Sequence, residues 1–86
     1  MRLAHIDDKY LKAEIYLELI NDMQARIMEF EKETPNYMTA EIKEANRQLS
    51  DARTKARIYI DEEHFLKWET LLDHTDALML RTRLFC

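Results

Sequence analysis

The sequence contains no glycine, and its single proline is Pro35. Glycine is the default residue where a backbone must turn with positive φ. Its absence excludes glycine-rich phosphate loops and favours long helices joined by minimal connections. Cysteine also occurs once, at Cys86, so no intrachain disulfide can form. A reducing, cytoplasmic setting is the simplest expectation, with an intermolecular bridge through Cys86 as the oxidised alternative. A prenylation box would need its cysteine four residues from the end, which Cys86 does not satisfy. No apolar run approaches the roughly 18 residues that span a bilayer. The opening Met1-Arg2-Leu3-Ala4-His5 is soon followed by Asp7 and Asp8, unlike a secretory leader. No membrane is expected as a partner.

Positive charge is in short supply. Thirteen Lys and Arg stand against 17 Asp and Glu, a formal net charge of −4, and that sign does not favour bulk nucleic-acid binding. Hydrophobic residues make up 47% of the chain, enough to build a folded core. Its 86 residues form one domain, 1–86. A domain of this size buries only about 60–65% of its unfolded surface. Its stability is therefore marginal, and oligomerisation is one common remedy.

Helical periodicity runs through the sequence. The first helix is expected over about 7–33, capped by Asp7 or Asp8. Ala13, Tyr16, Ile20, Met23, Ile27 and Phe30 form a heptad-like seam. Tyr10, Leu17 and Met28 flank that seam on one side, and Ile15 and Leu19 on the other. Together these positions cover roughly 220° of the circumference, wider than an ordinary single-face stripe. This makes helix 1 the expected most buried element and a candidate for sharing with a second subunit. Thr34-Pro35 reads as a stop and restart, with Thr34 as N-cap of the next helix. Thr39 is the alternative cap if 35–38 is a loop.

Helix 2, expected over 36–60, carries Ile42, Ala45, Leu49, Ala52, Ala56 and Tyr59 at 3-4 spacing. Helix 3, expected over 61–83, carries Phe65, Trp68, Leu71, Leu72, Thr75, Leu78 and Met79. On one continuous straight helix these two stripes would be offset by about 110°. The offset, and the acidic run Asp61-Glu62-Glu63, place a bend near Ile60-Asp61. The fold class is therefore all-α: a three-helix bundle or helical hairpin, assembling further into a larger helical bundle, most simply as a C2 homodimer. The residues expected to carry self-association are Tyr16, Ile20, Met23, Ile27 and Phe30.

Two charge ladders stand out. Glu14, Glu18 and Asp22 recur every four residues on helix 1, with Glu29 near the same face. Lys43, Arg47, Arg53 and Arg57 lie within an arc of about 120° on helix 2. Like charges at this spacing repel mildly, so each ladder invites an opposite neighbour. In a hairpin folded at Pro35, Asp22 would meet Arg47 and Glu18 would lie near Arg53. Alternatively the basic row binds phosphates or an acidic protein. Tyr59, His64, Phe65 and Trp68 form an aromatic cluster at the proposed bend, readable as helix 3 core or as a binding hot spot. Lys43, Arg47, Arg53, Arg57 and Trp68 are thus the candidate contacts to a partner or to nucleic acid.

Little in the sequence suggests catalysis. His5, His64 and His74 offer no pair at i,i+4 for zinc. Asp61-x-x-His64 resembles a di-iron carboxylate–histidine pair only loosely, because a second copy is missing. Ser50 is the only serine, and nothing separates two carboxylates into acid and base environments. No enzyme activity, cofactor or metal is expected. The expected function is a protein-interaction module, an adaptor, regulator or inhibitor acting on an unidentified protein. A nucleic-acid accessory role is the alternative.

Overall fold

A computed structural model describes residues 8–37 and 39–84. Three helices pack against one another: α1 (Lys9–Glu33), α2 (Ala40–Lys55) and α3 (Glu62–Leu84), with a short 3-10 turn at Pro35–Tyr37. Asp8 caps α1, its side chain accepting from the backbone N–H groups of Tyr10 (2.9 Å) and Leu11 (3.2 Å). Asp7, the other candidate cap, lies outside the described residues.

The turn at Pro35 differs from expectation. Thr34 closes α1 instead of opening α2: its hydroxyl donates to the Phe30 carbonyl at 2.8 Å, and its N–H to the same oxygen at 2.9 Å. Pro35 disfavours helical backbone at Thr34, whose φ of −139° and ψ of 65° leave the helix. The 3-10 turn then consumes the residues expected to start helix 2. Thr39 takes the cap, its hydroxyl accepting from Ile42 N–H at 3.2 Å.

Helix 2 also ends earlier than expected, at Lys55 instead of 60. The N–H groups of Ile58 and Tyr59 both donate to the Lys55 carbonyl at 2.9 Å, folding the chain into a turn. Asp61 restarts the helix, accepting from His64 N–H at 3.0 Å. The whole reversal is made without a positive φ among the described residues. The expected bend is therefore a full turn between two helices, and the offset stripes of α2 and α3 both face one core. Tyr59 leaves the helix 2 stripe and stacks on His64, with ring centroids 4.6 Å apart.

Topology is up-down-up. α1 and α3 run parallel, as successive contacts along both show: Lys12 with Glu62 (3.3 Å), Tyr16 with Glu69 (3.0 Å), Arg26 with Asp76 (2.7 Å). α2 runs against them, so Glu41 at its start pairs with Arg81 near the end of α3 at 3.3 Å. Tyr16, Phe65 and Trp68 fill one end of the core; Ile20, Leu49 and Leu72 occupy the middle; Ile27, Phe30, Ile42 and Met79 fill the other end. Buried residues number seven of 25 in α1, four of 16 in α2 and six of 23 in α3. Helix 1 is thus the most buried element, as expected, but by a small margin, and all three helices contribute to one core.

Tyr16, Ile20, Met23, Ile27 and Phe30, expected to carry self-association, are at most 6% exposed within a single chain. A heptad seam specifies a covering helix but not which chain supplies it, and here α2 and α3 of the same chain cover it. Any surface offered to a second chain is built from other residues. Of the flanking apolar positions, Leu17 and Leu19 pack against the core. Tyr10 remains 70% exposed and Met28 59%.

Candidate functional site

The helix pair α1–α2 has the register that a hairpin at Pro35 dictates, but different residues meet across it. Gln24 Nε2 donates to Ser50 Oγ at 2.8 Å and to Asn46 Oδ1 at 3.3 Å. Neither Asp22–Arg47 nor Glu18–Arg53 forms an ion pair among the described residues. Axial level is right for both, but the facing positions belong to the neutral side chains. Glu14, Glu18 and Asp22 lie exposed on α1.

The basic row is divided. Arg47 is held on its own helix by Glu44, which accepts from Arg47 Nε at 3.0 Å and from Gln48 Nε2 at 3.3 Å. The hydrogen bonds from Arg47, and then that from Gln48, pull the Glu44 carboxyl down to about 2. Lys43 is exposed and apart from the groove described below. Trp68 is only 4% exposed, packed on Tyr16 (6.1 Å between centroids), Phe65 (5.6 Å) and His64 (5.9 Å). It is core, and not a presented hot spot, because the parallel packing of α3 on α1 brings it against Tyr16. Arg53 and Arg57 alone of the five candidates come together.

They do so in a trough between α1 and α2. Its lower recess, of about 410 Å³, is formed by Tyr10, Ala13, Glu14 and Leu17 on α1 with Ala56, Arg57 and Ile60 opposite. It continues into a second recess, of about 330 Å³, between Leu17 and Asn21 on one side and Arg53, Thr54 and Arg57 on the other. Two alanines, Ala13 and Ala56, leave the lower recess unfilled. The Gln24–Asn46–Ser50 hydrogen bonds tie the two helices together beyond the upper recess. One wall of the trough is therefore acidic, with Glu14 in it and Glu18 one turn further along the same helix. The other wall is basic, with Arg57 and Arg53. No ion pair joins the two walls among the described residues.

The helix pattern pointed to Tyr10 and Leu17 as flanking apolar positions, but not to Asn21, Thr54 or Ile60. Those three are recruited by the register of the hairpin and by the turn after Lys55, which no single-helix pattern contains.

Elsewhere the titratable groups serve the fold. Burial raises the Tyr16 hydroxyl above the ordinary tyrosine range, reinforced by its hydrogen bond to Glu69 and by the charges of Glu69, Glu62 and Asp73. The His64 ring holds the Asp61 carboxyl below its usual range at the start of α3. Among the described residues no three His, Cys, Asp or Glu side chains converge as a metal-binding group, and no helix is long and apolar enough to cross a membrane. What the trough can do chemically is receive a surface that carries an apolar projection between charges of both signs. No protein-family model, curated protein or solved structure matches this chain.

Proposed function

We propose that this chain is a non-enzymatic protein–protein interaction module, a small cytoplasmic adaptor, regulator or inhibitor that presents its α1–α2 face to another protein. The observation that carries this reading is the trough itself: an apolar floor, an exposed tyrosine and two arginines that no carboxylate engages among the described residues. Tyr and Arg are the residue types that most often anchor protein interfaces. A nucleic-acid role would draw on Lys43, Arg53 and Arg57, but Glu14, Glu18 and Asp22 on the neighbouring helix repel phosphates.

A photo-crosslinking amino acid at Thr54, in the trough wall, tests this in lysate of the native host. The expected result is a discrete protein adduct, either this chain or another, that disappears when Arg53 and Arg57 are both changed to Glu. Adducts with nucleic acid alone, or no adduct, would overturn it.

A further inference from the structure

We propose that the occupant of the trough is a second copy of this chain, docked about a two-fold axis that runs parallel to the helices. The inference rests on reading the α1–α2 face as an interaction surface, and it adds the occupant and its orientation. Gln24 lies level with Asn46, and six residues back along α1 and seven forward along α2, about 9 and about 10.5 Å, bring Glu18 level with Arg53 to within about 1.5 Å; one turn further, Glu14 and Arg57 line the same recess. A two-fold axis along the trough lays α1 of each copy over α2 of the other with no change of level. Glu14 of one copy then faces Arg57 of the other, Glu18 faces Arg53, and each pairing occurs twice. An axis perpendicular to the helices would instead lay α1 on α1 and α2 on α2, placing carboxylates against carboxylates and guanidiniums against guanidiniums. Charge complementarity therefore selects the parallel arrangement.

Apolar surface agrees with that choice. Tyr10, 70% exposed beside a recess of about 410 Å³, is carried over Ala56 and Ile60 of the second copy, where the recess can receive its ring. The bundle is 41 Å long and up to 22 Å across, so one face offers up to about 900 Å². A standard interface takes about 800 Å² from each partner. The arrangement also gives the Glu14–Glu18 row the opposite neighbour that its own chain withholds.

Sedimentation equilibrium from 1 to 100 μM in low salt tests the proposal, with circular dichroism confirming that every variant remains helical. The wild type is expected to sediment as a dimer that weakens as salt is raised. R53E/R57E and E14R/E18R are each expected to raise the dissociation constant by at least about tenfold, because every cross-interface pair turns repulsive. The fourfold exchange E14R/E18R/R53E/R57E restores all pairs with signs reversed and is expected to restore the dimer. A monomeric wild type at 100 μM, a dimer indifferent to the reversals, or a helical fourfold variant that stays monomeric would each overturn the proposal. A monomer whose Thr54 still crosslinks to a different protein would refute the second copy while leaving the interaction module standing; a monomer with no protein adduct would remove both.

Discussion

Replacing Tyr16 by Phe should weaken the bundle at neutral pH, by an amount that shrinks as the solution becomes alkaline. The ring of Tyr16 is 1% exposed, stacked on Phe65 with centroids 5.4 Å apart, and its hydroxyl donates to Glu69 at 3.0 Å. Phe keeps the ring contacts and removes only that donor. A hydrogen bond to a charged acceptor contributes about 1.5–3 kcal/mol, and half-buried Glu69 places this one near the lower end. For a domain of this length about 1.5 kcal/mol corresponds to roughly 6–12 °C in Tm. Burial, the bond to Glu69 and the nearby carboxylates all raise the folded-state pKa of the hydroxyl above its unfolded value. The stabilisation is therefore complete below about pH 10, where the unfolded tyrosine is still protonated, and is lost as pH climbs from there toward the folded value. One proton released only by the unfolded chain removes about 1.4 kcal/mol between pH 9 and pH 11. Thermal melts of both proteins, followed by far-ultraviolet circular dichroism at pH 8, 9, 10 and 11, should show curves that nearly converge at the top of the range. Every other titrating group is common to the two chains, so a Tm gap that stays constant or widens would refute this account of Tyr16.

Thr39→Ala should cost about 1 kcal/mol in urea unfolding, as the loss of an N-cap does, and Thr34→Ala less, because Thr34 closes α1 through a backbone donor as well. The reverse order would return the cap to Thr34. Ile20→Asp with Met23→Asp should abolish helical circular dichroism altogether; a helical monomer would mean that the α1 seam is not spent inside one chain. Glu44 should titrate with a midpoint of about 2 in carboxyl-detected NMR and return toward 4.5 in Arg47→Gln. The stabilisation from that pair is present above the ordinary glutamate pKa and lost as pH falls toward 2, and an unshifted Glu44 in the wild type would dissolve the pair.

The all-α class and the core of α1 were legible because an amphipathic period needs nothing beyond the segment that carries it. Every residue from Ala13 to Phe30 in the heptad series is buried, as are Ile42, Ala45, Leu49, Ala52 and Ala56. The end of α2 was not legible: no glycine or proline stops it, and the turn is held by two N–H groups sharing the Lys55 carbonyl and by the Asp61 cap. Pairing across the hairpin was half legible. Folding at Pro35 fixed the level of each residue, but the rotation of the helices decided that Gln24, and not Asp22, would face α2. Arg47 carried its own warning in Glu44 and Gln48, a local pattern that outcompetes a partner on another helix. The trough lay beyond reach because a concavity belongs to two helices at once, and here depends on two alanines 43 positions apart.

An odd number of helices in an up-down-up path leaves α1 beginning at one pole of a 41 Å rod and α3 ending at the other. A linker joining the two would have to run most of that length, about 11 or more extended residues. Circular permutation is therefore costly for this fold, whereas end-to-end fusion is natural: tandem copies would string out as a chain of rods, each with its α1–α2 face still open along the side. Two such strings could zip together laterally, so that modest affinity at one trough becomes cooperative along the whole array.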